Sequence, residues 1–285
     1  MPRKIVLLLL ITGLITFMPL FNAKAAPAYV IYTSNINGFL QNCGCGVEPL
    51  GGIGRIKYFI DTFKAKHPHI LLIDGGDYFN SYPFPALNDA MYKVLKMMNY
   101  DVLVPGDQEF VEGHQFFSKF SKFFGDKILL TNTNSNFKKA IYNQIAGHQM
   151  VVYGLLSEKV FEFIGRPEDL MLVSQFSLPE LDKAAGGLNI VVIHGYLSDA
   201  RTIAKKYNDV DLILIAHEQN RGVWKANDAT IIGNGKDSEY ISVIKADYDQ
   251  QWEIDVDQIK ISEMIPEDKD VLKIIENYTE QIKLN

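Results

Sequence analysis

Short apolar runs rich in β-branched residues alternate with amphipathic stretches along most of this 285-residue chain. The runs predict strands at 29–32, 70–73, 102–104, 128–130, 188–193 and 212–215. The stretches between them have the helical period and predict helices at 53–66, 86–98, 112–123 and 198–207. Unbroken apolar runs are typical of parallel strands that are buried on both faces. The alternation therefore predicts an α/β fold built around parallel strands.

Two segments depart from this alternation. Residues 140–156 read as short strands with turns, which indicates an antiparallel addition. Residues 222–261 predict a β-meander of four short strands, followed by a closing helix at 268–284. No internal repeat or low-complexity linker divides the chain, so we predict an α/β sandwich of two sheets flanked by helices, in a single domain.

The amino terminus has the pattern of a secretory signal peptide. Arg3 and Lys4 precede an apolar run at 5–21, which is followed by the small-residue site Ala23-Lys24-Ala25. We predict cleavage after Ala25, which leaves one domain at 26–285, periplasmic or secreted and without a stable membrane span. The alternative is an uncleaved membrane anchor, since the run lies near the short end of the ~20 residues that a span needs.

The charge balance argues against one class of partner. The chain has 28 basic and 34 acidic residues and a net charge of −6, and loss of the first 25 residues makes it more negative. Nucleic-acid-binding proteins carry basic surfaces. We therefore expect no nucleic-acid partner, and the sequence names no protein partner.

Polar clusters follow five of the predicted strands. In open α/β sheets, ligands gather at the carboxyl ends of the strands. Each cluster alone is a weak signal, but together they contain side chains that bind metals or phosphates. The clusters are Thr33-Ser34-Asn35-Ile36-Asn37-Gly38, Asp74-Gly75-Gly76-Asp77, Gly106-Asp107-Gln108-Glu109, His194-Gly195 and Ala216-His217-Glu218-Gln219.

The order of these clusters resembles the motif series of the calcineurin-like metallophosphoesterase superfamily, most closely its 5′-nucleotidase branch. That series runs N-D-x-H-G, G-D, G-N-H-E, a His at a strand end, and G-H-x-H. The run Gly51-Gly52-Ile53-Gly54-Arg55 and the segment 132–134 are similar to residues that the branch places there. The resemblance implies a four-layer α/β/β/α sandwich of two mixed sheets.

The resemblance also implies one intact metal site. The family holds its second metal with a bridging Asp, the Asn of G-N-H, the strand-end His and the first His of G-H-x-H. The corresponding residues here are Asp77, Asp107, His194 and His217. Two carboxylates and two imidazoles suit Zn²⁺, Mn²⁺ or Fe²⁺. We expect one divalent metal ion per chain.

The positions for the first metal are degraded. Apart from Asp77, they read Asn35, Asn37 and Gln219, all amides. The His that the family places beside the leaving group is Gln108, which can form hydrogen bonds but cannot supply a proton near neutral pH. The resemblance therefore assigns Asn35 and Gln108 the role of orienting the substrate.

Cys43 and Cys45 follow the degraded first motif in the Gly-rich loop Asn42-Cys43-Gly44-Cys45-Gly46. Thiols oxidise readily outside the cytoplasm, and a bridge across one intervening residue would be a small ring. The pair is a candidate for replacement metal ligands or a redox pair. The alternative is a loop disulfide or two idle thiols. The segment 37–45 resembles an exported nucleotidase-like subfamily with an N-G-x-L-x-x-C-G-C signature.

Three functional hypotheses follow from this sequence. The first is an exported metal-dependent hydrolase of phosphate esters or nucleotides, with a small phosphorylated substrate and a role in nucleotide catabolism. The second is a non-hydrolytic periplasmic metal-binding or thiol-redox protein that uses Cys43 and Cys45. The third is a partner-binding protein on a retired scaffold, since folds outlast their chemistry.

Overall fold

Two mixed β-sheets lie face to face in the computed structural model, which describes residues 26–42, 48–168, 171, 173, 176–178 and 187–284. The first sheet has the strand order β11-β10-β1-β2-β3. Its β1, β2 and β3 are parallel, and β10 and β11 extend it antiparallel beside β1. These strands are β1 (Ala28–Thr33), β2 (Ile70–Asp74), β3 (Val102–Leu103), β10 (Tyr240–Asp249) and β11 (Gln251–Lys260).

The second sheet has the order β4-β5-β6-β7-β9-β8. Its four central strands are parallel, and the edge strands β4 and β8 pair antiparallel with their neighbours. The predicted antiparallel addition at 140–156 is confirmed for the pairing of β4 with β5, but β5 itself runs parallel to β6. The strands are β4 (Ile141–Ile145), β5 (His148–Leu156), β6 (Leu188–Gly195), β7 (Leu212–His217), β8 (Arg221–Ala226) and β9 (Ala229–Asn234).

Three apolar layers hold the sandwich together. The layer between the sheets combines alternate side chains of both, among them Val30, Leu71, Val152 and Ile190. The outer face of the first sheet packs against α1 (Ile53–Lys66), α2 (Pro85–Met98), α3 (Gly113–Phe124) and α5 (Lys269–Lys283). The outer face of the second sheet packs against α4 (Leu197–Lys206). The predicted four-layer α/β/β/α sandwich is confirmed.

Two predicted elements differ in the structure. The segment 222–261 is not one meander, because the β8–β9 hairpin joins the second sheet and the β10–β11 hairpin joins the first. The alternation of apolar and polar residues predicts each hairpin, but it does not determine which sheet the hairpin joins. The predicted strand at 128–130 makes only isolated bridges, from Ile128 to Leu103 and from Leu129 to Lys138.

Among the described residues, every helix is too short or too polar to cross a membrane.

Candidate metal centre

The turn after β2 brings Asp77 to the edge where strands of both sheets end. Gly76 (φ +99°) and Asp77 (φ +57°) both have left-handed backbone conformations, which Asp tolerates better than most residues. A Cβ atom at Gly76 would collide with the backbone of Gly106 and with the His194 ring. A side chain at Gly106 would strike His194 and the Asp77 carboxylate. The two glycines therefore permit the close approach of the turns that carry the acidic residues.

Four of the residues predicted to bind metal come together at this edge. One ligand atom from each of Asp77, Asp107, His194 and His217 lies within 4.8 Å of the others. His194 Nε2 is 3.2 Å from Asp77 Oδ1 and 3.3 Å from Asp107 Oδ1. His217 Nδ1 is 3.2 Å from Asp107 Oδ1 and 3.6 Å from Asp77 Oδ2. Two carboxylates and two imidazoles converging on one point form a donor set that fits a divalent transition metal.

The four clustered side chains differ in their exposure to solvent. The His194 side chain is fully buried and Asp77 and Asp107 are nearly so, whereas His217 keeps 23% of its side-chain surface exposed. His217 also has a left-handed backbone (φ +66°), an uncommon conformation for a residue of its size. Such conformations concentrate at functional sites, where the surrounding structure holds them.

Both imidazoles are oriented through their second ring nitrogen. His194 Nδ1 lies 2.8 Å from the carbonyl oxygen of Gly75, and His217 Nε2 lies 3.2 Å from the hydroxyl of Tyr196. Each ring therefore turns the other nitrogen toward the two carboxylates. This is the arrangement by which metal-binding histidines are held in one tautomer.

Glu109 positions the turns rather than facing the cluster. Its carboxylate accepts hydrogen bonds from the backbone N–H groups of Asp77 (3.1 Å), Tyr78 (2.8 Å) and Gly106 (2.5 Å). One buried side chain thus ties the turn after β2 to the turn after β3. Burial, with the nearby charge of Asp77, raises the pKa of Glu109 to about 7.

The cluster also shifts the pKa values of its own members. Burial alone would raise the pKa of Asp77, but attraction to His194 and His217 outweighs it and holds that pKa well below its usual range. Burial would lower the pKa of His217, but hydrogen bonds to Asp107 and Asp77 prevail and raise it to about 9. Burial would also lower the pKa of His194, but the charge of Asp77 and hydrogen bonds to Asp107 and Asp77 raise it well above its usual range. Protons and a metal ion therefore compete for the same imidazole nitrogens.

Amide side chains occupy the neighbouring side of the edge. Asn35 is buried, and its Nδ2 donates to the carbonyl oxygens of Glu218 (3.1 Å) and Gly235 (2.6 Å). Its Oδ1 accepts the backbone N–H of His217 at 2.7 Å. Asn35 therefore holds the turn that carries His217, and its predicted contact with a substrate stays a prediction.

Asn37 and Gln108 are joined to each other. Gln108 Nε2 donates to Asn37 Oδ1 (3.0 Å), and Asn37 Nδ2 donates to Asp237 Oδ1 (2.9 Å). Gln108 is half-buried, and its backbone N–H lies 3.3 Å from Asp77 Oδ1, so it stands beside the metal cluster. Gln219, the last of the degraded positions, is exposed. Cys43 and Cys45 lie outside the described residues.

Sequence reasoning missed two residues of this edge. Tyr196 directly follows His194-Gly195 at the end of β6, so the strand-end rule that found His194 could have found it. Asp237 lies in the turn between β9 and β10 and reaches Asn37 across about 200 residues of chain. No local pattern marks that contact.

The fold and the cluster at its strand ends define the class of protein. Two mixed sheets flanked by helices, with carboxylates and imidazoles gathered at one edge, form the metallophosphoesterase fold. Residues 49–221 match the model of the calcineurin-like phosphoesterase family. The chain belongs to that family, as its motif order predicted.

Solved structures share the fold at low sequence identity. The 5′-nucleotidase precursor of Thermus thermophilus has a TM-score of 0.78 at 16% identity, with 91% of this chain and 59% of that chain covered. The sulfate thiohydrolase SoxB of Thermus thermophilus has a TM-score of 0.73 at 16% identity, with coverage of 88% and 60%.

The NAD nucleotidase NadN of Haemophilus influenzae has a TM-score of 0.75 at 12% identity, with coverage of 90% of this chain and 68% of that one. This chain thus spans about three fifths of the length of the first two proteins. No curated protein matches it by sequence.

Proposed function

We propose that this protein is an exported hydrolase of phosphate esters or nucleotides that uses one divalent metal ion per chain. The observation that carries the proposal is the convergence of Asp77, Asp107, His194 and His217 at the strand ends. Membership of the calcineurin-like phosphoesterase family supports phosphoester chemistry. Two of the structural neighbours are named as nucleotidases, which supports a small phosphorylated substrate.

The four clustered residues would hold the ion, and a bound divalent cation supplies Lewis acidity toward a phosphoryl oxygen and toward water. His194 and the two carboxylates are buried, and His217 is the member of the cluster with the largest exposed fraction, so a ligand from solvent would approach on its side. Tight packing around His194 keeps bulk water from the buried groups, where electrostatic attraction is strongest.

Gln108 would contribute a neutral contact. Its Nε2 is engaged with Asn37, and its buried Oε1 has no hydrogen-bond partner among the described residues. An amide at this position can orient a ligand that carries a donor group, but it does not transfer a proton. We therefore expect preference for substrates with a good leaving group, which departs without protonation.

Hydrolysis is tested with the purified chain from residue 26 onward, loaded with Mn²⁺, Zn²⁺ or Fe²⁺. Candidate substrates are 4-nitrophenyl phosphate, bis(4-nitrophenyl) phosphate and 5′-nucleotides, with phosphate release as the readout. We expect metal-dependent turnover that His217→Ala abolishes. His69→Ala is the matched control, because His69 is an exposed histidine outside the cluster.

Two results would contradict the proposal. One is a protein that binds metal but turns over none of these substrates. The other is an activity that survives His217→Ala and is lost in Cys43→Ser, which would favour the thiol-based function.

Export is proposed from the signal-peptide pattern that ends at Ala25. Expression of the full chain in a Gram-negative host, followed by cell fractionation and amino-terminal sequencing, tests it. We expect protein in the periplasmic fraction that begins at Ala26. A cytoplasmic protein that retains Met1 would refute this part.

A further inference from the structure

The second nitrogen of each clustered imidazole meets a different kind of partner. His194 Nδ1 is hydrogen-bonded to the main-chain oxygen of Gly75, a partner that no side-chain substitution removes. His217 Nε2 is instead hydrogen-bonded to the hydroxyl of Tyr196 at 3.2 Å. The Tyr196 and His217 rings also pack edge to face, with centroids 5.0 Å apart. The orientation of His217 thus depends on one side-chain hydroxyl.

Tyr196 is itself firmly placed. Its backbone N–H lies 3.2 Å from Asp199 Oδ2, and buried Asp199 also accepts a hydrogen bond from Ser157 and pairs with Lys159. The Tyr196 ring packs against the apolar cluster that contains Leu156 and Val160. Tyr196 is therefore held in place by contacts besides those to His217.

The tautomer of His217 follows from this geometry. Nδ1 is the nitrogen that faces Asp77 and Asp107, so Nδ1 must carry the lone pair if His217 binds a cation. In a neutral imidazole the other nitrogen then carries the hydrogen, and Nε2–H donates to the Tyr196 oxygen. The Tyr196 hydroxyl acts as acceptor in this bond, so its own hydrogen is left for another acceptor.

That hydrogen is at the solvent-facing side of the cluster. Tyr196 and His217 are both half-buried, whereas His194, Asp77 and Asp107 are buried. His217 is the only hydrogen-bond partner of the Tyr196 hydroxyl among the described residues. A phosphate oxygen that reaches the cluster from solvent would meet this hydroxyl, and a tyrosine remains protonated near neutral pH.

We propose that Tyr196 positions His217 for metal binding, by accepting its Nε2–H, and donates its own hydroxyl hydrogen to an oxygen of the bound phosphoryl group. This inference rests on the proposed metal site and phosphoester substrate. It assigns Tyr196 two contacts, one to a metal ligand and one to the substrate.

The first test compares metal binding by the wild type and Tyr196→Phe. Titration calorimetry of the metal-depleted protein with Mn²⁺ should give a Kd about 10- to 100-fold higher for the variant, the usual effect of losing a residue that orients a metal ligand. Phe keeps the ring packing, and a thermal melt verifies that the variant is folded. Tyr142→Phe, at an exposed position on β4, is the control and should keep the wild-type Kd.

The second test measures binding of inorganic phosphate at saturating Mn²⁺. We expect the variant to bind phosphate about tenfold more weakly or worse, since a hydrogen bond to a charged group is lost. An unchanged Mn²⁺ Kd would overturn the positioning role, and an unchanged phosphate Kd would overturn the donor role. Neither readout depends on turnover, so failure of this inference and failure of the proposed hydrolysis are observed separately.

Discussion

The two sides of the strand-end edge use the same backbone scaffold for different purposes. On the metal side, the carboxylates of Asp77 and Asp107 and one ring nitrogen from each of His194 and His217 face one another. The other ring nitrogen of each histidine is hydrogen-bonded outside the cluster. On the other side, here called the amide side, the Asn35 amide is hydrogen-bonded to main-chain groups, and Asn37 is hydrogen-bonded to Gln108 and Asp237. The four clustered residues offer a donor set for a cation, whereas the side-chain amides of Asn35 and Asn37 are engaged in hydrogen bonds with the protein itself.

This difference is consistent with the proposal of one metal ion per chain. Exchanging carboxylate and imidazole for amides removes charge and supplies N–H donors, and the donors find carbonyl oxygens within reach. Buried polar groups that are fully hydrogen-bonded stabilise a turn without a ligand. Asn35 therefore holds the turn that carries His217 by hydrogen bonds alone.

The largest expected effect is on metal affinity, and it comes from exchanging aspartate for asparagine on one side of the edge but not on the other. Asp77→Asn should weaken Mn²⁺ or Zn²⁺ binding by about 100- to 1,000-fold, since one of four ligands in a zinc site carries about 3–4 kcal/mol. Asp237→Asn makes the same change on the amide side and keeps an oxygen for Asn37 Nδ2. It should leave the metal Kd unchanged. Equal losses in the two variants would break the comparison.

A smaller effect concerns Asp74, a buried carboxyl behind the edge. Its oxygens accept hydrogen bonds from Thr33 Oγ1 (2.6 Å) and the Gly76 N–H (3.0 Å). Burial is the main cause that raises its pKa to about 8, with the charge of Glu109 acting in the same direction. The folded chain therefore holds a proton there that the unfolded chain releases near pH 4.

This proton makes stability depend on pH. Between about pH 4 and pH 8 the folded state binds one more proton at Asp74, so its contribution to the free energy of unfolding falls by about 1.4 kcal/mol per pH unit. Asp74→Asn does not titrate. Its oxygen can accept the Gly76 N–H, and its NH2 can donate to Thr33 Oγ1, whose hydroxyl can then donate to Tyr100. Urea unfolding of the metal-free proteins at pH 5 and pH 7 should show the variant gaining about 3 kcal/mol relative to wild type. Parallel pH profiles would refute this account of Asp74.

The smallest expected effect tests the structural role of Asn35. Asn35→Asp would place a carboxylate oxygen against the carbonyls of Glu218 and Gly235, and we expect a loss of about 2 kcal/mol in unfolding free energy. Asn99→Asp is the matched control. Asn99 has nearly the same left-handed φ (51° against 52°), but its oxygen accepts from Lys127. Urea titration should show the control within about 0.5 kcal/mol of wild type; equal losses would contradict the assigned contacts.

The residues of the metal cluster could be predicted from the sequence, whereas the hydrogen bonds of the amide side could not. Asp77, Asp107, His194 and His217 each lie at or just after a buried strand, so the rule about strand ends finds the clusters that contain them. The resemblance to the metallophosphoesterase motifs then implies which residues of those clusters are ligands. The contacts of Asn35 with His217 and Glu218, and of Asn37 with Asp237, join residues about 180 to 200 positions apart, and no local pattern encodes them. The same limit applies to the β10–β11 hairpin, whose pairing with β1 depends on long-range packing.

The number of metal ions per chain tests the central claim most directly. Elemental analysis of the protein purified from the periplasm, with a Cys43→Ser/Cys45→Ser variant alongside, gives that number. We predict one ion per chain in both proteins, held by the cluster at Asp77. Two ions in the wild type and one in the variant would contradict the account, because the thiols would then have rebuilt the site that the amides gave up.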